Sequence, residues 1–256
     1  MAKLFCISDV HGFYNEMRKV LDNTGFDPNN EEHWLISLGD MWDRGKQPFE
    51  VMQYLKRLPR KVLIRGNHED LFEECCERGE CLGHDISNGT YKTICILGGM
   101  NLGYSFAECC EHAEAMTRMF RKSMVNYFET KNYIFVHAWV PLNCNDNLPP
   151  YYTRNRKYSK MENWREANDQ QWADARWGNP FELAEQGLLP DKTLLFGHWN
   201  TSWAHNKYEG IPEFGYGADF SPYYGDNYIG IDSCVAYSGK INCVVLEDEF
   251  MDGDVS

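Results

Sequence analysis

The chain has 256 residues, is 43% hydrophobic and 25% charged, and carries a formal net charge of −13. Such a composition suits one sizeable globular core, and the negative excess argues against wrapping nucleic acid, whose phosphates it would repel. No stretch approaches the ~20 apolar residues of a membrane span, and "MAKLFCISDVHG" reads as neither signal peptide nor anchor. The ten cysteines include the vicinal pairs Cys75-Cys76 and Cys109-Cys110, which suit reduced thiols in a cytoplasmic protein better than a disulfide framework. A zinc site from Cys75, Cys76 and Cys81 would lack a matching second half.

In chain order, "KLFCISD" reads as a strand, followed by Phe13, Met17, Val20 and Leu21 at helical spacing. "WLISLGD" is a second buried run, and Val51, Met52, Leu55 and Leu58 form the next helical face. "KVLIRGN" is a third strand, which makes a βαβαβ pattern with parallel strands. Residues 71–130 read as a mostly helical, cysteine-rich insertion, and 143–190 as a polar segment capping one end of a single domain, 1–256. "YIFVHA", "TLLFGH", "YIGIDS" and "INCVVLE" supply the later strands.

Each strand ends in residues that carry chemistry. The first hands over Asp9 and His11, the second Asp40, Asp43 and Arg44, the third Asn67 and His68; the "YIFVHA" and "TLLFGH" strands end on His137 and His198. Open α/β sheets place their sites beyond the carboxyl ends of strands, so these groups can converge. Two carboxylates, three imidazoles and the Asn67 amide oxygen suit two divalent transition ions better than one tetrahedral zinc. The amide ligates without adding a third negative charge to a site that must accept an anion.

The stretches "DVHG" at Asp9, "GDMWDRG" at Gly39, "RGNHE" at Arg65, "HA" at His137 and "GH" at Gly197 resemble the signature of the calcineurin-like metallophosphoesterases. More narrowly they are similar to the phosphoprotein phosphatases that act on phosphoserine and phosphothreonine. "FVHAWVP" and "YIGIDSCVAYSGKINCVVLE" resemble the bacteriophage lambda phosphatase branch. The resemblance implies an α/β sandwich of two mixed β-sheets flanked by helices. It also implies two divalent ions (manganese first, iron or zinc as alternatives), one held by Asp9, His11 and Asp40, the other by Asp40, Asn67, His137 and His198. By the same resemblance His68 is the general acid, Asp43 orients it, and Arg44 binds phosphate. None of the cysteines stands in a C-x5-R context, so no cysteinyl-phosphate route is expected.

The family's second phosphate-binding arginine has no clear counterpart. "DARWGNPFE" offers Arg176, the last arginine of the chain, with Arg165 as the next choice. Arg154, Arg156, Lys157, Lys160 and Arg165 form a basic cluster that reads equally as a guide for phosphorylated substrates or as a solvated helix face. The expected substrate is a phosphorylated protein or a small phosphoester. The alternative is a symmetrical diadenosine tetraphosphate hydrolase, which "FGHW" and "IDSC" also resemble. Trp199, Trp203, Tyr208, Phe214, Tyr216, Phe220, Tyr223, Tyr224 and Tyr228 could then stack a base, or pack the loop on itself. Asp43 favours the phosphatase side, because bacterial dinucleotide enzymes tend to carry another residue there. A non-catalytic metal-holding scaffold is a remote third reading, since no ligand has been lost.

Overall fold

In β1 (Ala2–Ile7), Phe5 and Ile7 face one way and Leu4 and Cys6 the other, and all four are fully buried. A strand covered on both faces has to lie inside a layered core. The computed structural model describes residues 1–144 and 156–251. After β1 come α1 (Tyr14–Thr24), β2 (His33–Ser37), α2 (Pro48–Arg57), β3 (Lys61–Leu63) and α3 (Asn67–Arg78). Next are α4 (Gly83–Asn88), α5 (Thr90–Gly98), α6 (Phe106–Lys122), β4 (Tyr127–Glu129), β5 (Tyr133–Val136), β6 (Leu142–Cys144) and β7 (Tyr158–Lys160). The order closes with α7 (Asp169–Ala175), α8 (Pro180–Glu185), β8 (Thr193–Phe196), α9 (Thr201–Ala204), β9 (Tyr223–Gly225), β10 (Tyr228–Gly230), α10 (Val235–Ser238) and β11 (Cys243–Asp248).

Two mixed sheets result. The first has the order β11-β1-β2-β3, parallel except where β11 pairs with β1, and the second β4-β5-β8-β10-β9, antiparallel only at its edges. Leu4, Cys6, Ile36, Leu38 and Ile64 from the first sheet meet Phe135, Leu195, Ile229 and Ile231 from the second, so the sheets pack face to face. Met17, Leu21, Val51, Leu55, Phe72, Ile94 and Phe120 cover the outer face of the first sheet. Trp139, Trp164, Trp172, Phe181 and Leu183 cover the second. The helix–sheet–sheet–helix sandwich expected from the sequence is therefore the fold.

Three local differences have physical causes. The third strand stops at Leu63, and Asn67 and His68 open α3 instead of closing a strand. The stretch 71–130 ends in β4, a strand fixed by pairing with β5 and not by its own pattern. Its helices α3, α5 and α6 bury Phe72, Ile94 and Phe120 in the same core as α1 and α2. The segment 143–190 is polar in composition, yet Trp164, Trp172, Phe181 and Leu183 bury it against the second sheet; residues 145–155, including Arg154, lie outside the described residues.

Close backbone approach joins β2 to α3. A Cβ on Gly66 would lie 2.2 Å from Asp40 Oδ1 and 2.6 Å from the Asp40 nitrogen, whereas one on Gly83 would meet nothing within 4 Å. Gly66→Ala is expected to destabilise the protein by about 1–3 kcal/mol, the usual cost of overpacking. Gly83→Ala, in open space at a helix start, should be neutral or slightly stabilising. Urea midpoints of the two variants check this, and equal midpoints would contradict it.

Candidate functional site

The turns after β1, β2 and β8, together with the start of α3, bring the strand-end residues to one edge of the sandwich. Among the described residues, six of the eight non-glycine residues with positive φ are Asp9, His11, Asp40, Asp43, Arg44 and His198. Left-handed backbone is costly for residues with a Cβ and survives only where surrounding contacts impose it, most often at functional sites.

Asp40 is the centre. It is 2% exposed, and Oδ1 accepts the His68 backbone N–H at 3.0 Å, at the N-terminus of α3, where unpaired donors favour an anion. His137 Nε2 stands 3.4 Å away, His11 Nε2 3.7 Å and His68 Nε2 3.8 Å. Burial alone would raise the Asp40 pKa, but the surrounding imidazoles outweigh it and hold the carboxyl well below the usual range.

Backbone carbonyls orient the imidazoles. His11 Nδ1 donates to the Trp42 carbonyl (3.0 Å) and His137 Nδ1 to the Leu38 carbonyl (2.7 Å), which leaves each Nε2 lone pair facing inward. His198 turns its Nδ1 inward, 3.0 Å from Asn67 Oδ1, while the Trp177 backbone holds its ring. His137 Nε2 meets the same oxygen at 2.8 Å. Burial pushes the pKa of all three below the ordinary histidine value, in His198 to about 3, so they stay neutral and keep their lone pairs.

His68 is tuned the other way. Burial opposes its charge, but Asp40 and Asp43 together raise its pKa. Its Nδ1 donates to Asp43 Oδ2 at 2.7 Å; Thr90 donates to the same oxygen, also at 2.7 Å, and the Asp43 N–H donates to the Thr93 hydroxyl. Arg44 is exposed on one side, and its guanidinium donates to His11 Nε2 (2.8 Å) and lies 3.2 Å from His68 Nε2.

Among the described residues two groups have donor atoms close enough together to hold a metal ion: His11, Asp40 and His68, and Asp40, His137 and His198, with Asp40 common to both. Asp9 sits just outside the first, its Oδ1 4.0 Å from His11 Nε2, and its Oδ2 accepts the Ser8 hydroxyl and the His198 N–H (2.9 Å). Buried carboxylates, inward lone pairs and an amide oxygen form a donor set suited to divalent transition ions. Among the described residues Cys75, Cys76 and Cys81 do not come together as a ligand set.

Arg176 departs from its expected role. It is 6% exposed, its Nε and Nη2 donate to Asp70 at 2.7 and 3.2 Å, and its Nη1 donates to Asn126 at 2.9 Å. The neighbouring ring, Trp177, lies 6.3 Å from that of His198, and the charge of Arg176 acts on His137. Arg165 is further committed, gripping Glu129 with two bonds of 2.8 Å and reaching Asp191. Arg156 is 7% exposed, and Lys160 donates to the Leu189 carbonyl.

Two acidic residues of the site were not singled out from the sequence. Glu69 is fully buried and accepts the backbone N–H of Asp40, Gly66 and Met41 at 2.8–2.9 Å, clamping the Asp40 turn to α3; burial and Asp40 push its pKa up to about 7. Asp232 is 6% exposed, and its charge acts on Asp9 and is felt with those of Arg44 and Asp40. The signal was available: "GIDS" ends a strand on aspartate as "CISD" and "SLGD" do.

The calcineurin-like phosphoesterase profile matches residues 2–208. The chain belongs to that family. It is a metallophosphoesterase, and this family's chemistry uses a dimetal centre. Curated relatives include the symmetrical bis(5'-nucleosyl)-tetraphosphatases of Proteus mirabilis and Klebsiella pneumoniae strain 342, 39% and 41% identical over 66 residues. Each of these alignments covers 25% of this chain and 23% of the relative, so the chain matches only about a quarter of their length. Two solved structures share the fold of this phosphoesterase. The cold-active protein-tyrosine phosphatase of a Shewanella species has a TM-score of 0.56 at 15% identity, covering 96% of this chain and 76% of that one. A protein provisionally named a diadenosine tetraphosphatase has a TM-score of 0.52 at 14% identity, covering 98% and 95%.

Asp232 gives this metallophosphoesterase a readable titration. Burial raises its pKa from 3.8 to about 6. The native state therefore binds this proton more tightly than the unfolded chain, so its contribution is full below about pH 4 and lost as pH rises through 6. In chelator, Asp232→Asn is expected to gain about 3 kcal/mol on the wild type between pH 4 and 7. Denaturant titrations at the two pH values check this, and an unchanged gap would contradict it.

Proposed function

We propose that this phosphoesterase hydrolyses dinucleotide polyphosphates such as diadenosine tetraphosphate. The observation that carries the reading is a set of relatives named symmetrical bis(5'-nucleosyl)-tetraphosphatases, at 33–41% identity over 66–67 residues. This reverses the order expected from the sequence, where a phosphoserine or phosphothreonine protein substrate stood first. We place the chain in the cytoplasm, supported by ten free cysteines; among the described residues no helix is long and apolar enough to cross a membrane. We also propose one domain over 1–256.

In this reading Asp9, His11 and Asp40 would hold one divalent ion, and Asp40, Asn67, His137 and His198 the second, with manganese the first choice. Such ions, when bound, polarise phosphoryl oxygens and activate water as the nucleophile. The chain's own residues do the rest. Arg44 offers a planar guanidinium for bidentate capture of the phosphoryl group. His68, pinned through Nδ1 to Asp43, keeps a proton at Nε2 for the leaving oxygen. Arg176 holds the Trp177 segment, and through it His198, in register.

One observation favours the second reading, a phosphomonoesterase acting on proteins. The His68–Asp43 pair at 2.7 Å is most valuable when a poor alkoxide leaves, and a polyphosphate leaving group has a far lower pKa. The two readings part in a substrate panel. Manganese-loaded enzyme is expected to split diadenosine tetraphosphate into two ADP with higher kcat/KM than any serine or threonine phosphopeptide. His68→Asn should lower turnover of an alkyl phosphate ester by about 10²–10⁴-fold and that of the dinucleotide by much less. Faster phosphopeptide cleavage, with no ADP formed, would overturn the proposal.

A further inference from the structure

We infer that Lys46 and Lys92 form, beside Arg44, a subsite for phosphates further along a polyphosphate chain than the one being cleaved. The inference rests on reading the cluster as a phosphoesterase site. Arg44 lies at its open edge with φ at 55°, and Lys46 follows two residues later, exposed. Lys92, the third residue of α5, reaches back and donates to the Arg44 carbonyl at 2.8 Å. The start of α5 is fixed against the same loop: a Cβ on Gly89 would lie 2.4 Å from the Arg44 nitrogen, and Thr90 and Thr93 bond Asp43. Two segments distant in sequence thus place three cations at one point of the rim.

Several other arginines of this acidic chain are already engaged. Arg65 and Arg176 bind Asp70, Arg121 binds Glu73 and Glu114, and Arg165 binds Glu129. Lys46 and Lys92, by contrast, have no carboxylate at ion-pair distance among the described residues. Burial and the charge of Lys46 push the pKa of Lys92 down, so the two ammonium groups are close enough to repel. Like charges without a counter-charge are unfavourable unless an anion joins them. With a net charge of −13 the protein repels a polyanion in general, and an unpaired basic rim at the site mouth supplies the local attraction. Ammonium groups are point charges that donate to phosphate oxygens in many directions, which suits a flexible chain better than a planar fork would.

The test uses the full-length, manganese-loaded enzyme at saturating free metal, with 4-nitrophenyl phosphate as reporter and orthophosphate or inorganic tripolyphosphate as inhibitor. The wild type is expected to bind tripolyphosphate at least about tenfold more tightly than orthophosphate. Lys46→Gln with Lys92→Gln should bring the two inhibition constants within about threefold, through weaker tripolyphosphate binding, and Lys46→Gln alone should produce part of that loss. The single variant keeps the test decisive if the double one folds poorly, because Lys46 is exposed and breaks no hydrogen bond or ion pair seen among the described residues. A tripolyphosphate preference that survives the substitutions would overturn the inference. Lysine-dependent preference in an enzyme that leaves diadenosine tetraphosphate intact would uphold the subsite and reject the dinucleotide reading.

Discussion

A carboxylate with almost no access to water has to find its compensation in the protein, and Asp40 shows how much structure that demands. Isolated burial of such a charge costs several kcal/mol even after relaxation. Here the helix N-terminus of α3, the His68 ring it carries and imidazoles from two further segments supply the offset. The demand explains the geometry around it. Gly66 is a glycine because Asp40 occupies the space of its side chain, and Glu69 is buried because it fixes the turn that presents Asp40. The left-handed residues of that turn, which cost of order 1–3 kcal/mol each, persist because this clamp leaves them no alternative.

The same centre sorts the histidines into two kinds. Three of them give one ring nitrogen to backbone groups, lose their charge to burial and keep a lone pair for a cation. His68 instead faces Asp43 and keeps its proton. Opposite shifts among neighbours a few ångströms apart let one pocket offer both neutral lone pairs and a protonated imidazole. The partition depends on where each ring finds its second partner, a carbonyl in one case and a carboxylate in the other.

The βαβαβ start and the strand-end clusters were legible in the sequence, because strand periodicity and the abrupt appearance of Asp, His and Asn after apolar runs are local signals. What was hidden is non-local. The extent of β3 depends on where α3 begins, and β4 exists because β5 lies beside it. The aromatic residues after His198 divide by tertiary contact: Tyr223 and Tyr228 pack on Phe181, whereas Tyr216 and Tyr224 are left exposed. Arg176 looked like a phosphate ligand by its neighbours in sequence, but Asp70, more than a hundred residues earlier, claims its guanidinium. Asp232 was readable by the same strand-end rule as Asp9 and Asp40 and passed unnoticed as part of a longer motif.

We propose that Asp40 serves two metal positions at once. Elemental analysis and calorimetric titration of manganese into chelator-treated protein test it most directly, with wild type compared against Asp40→Asn and His198→Asn. Two ions per chain are expected for the wild type, one for His198→Asn, and at most weak, substoichiometric binding for Asp40→Asn. Full binding of two ions by Asp40→Asn, or a single ion in the wild type, would contradict the account.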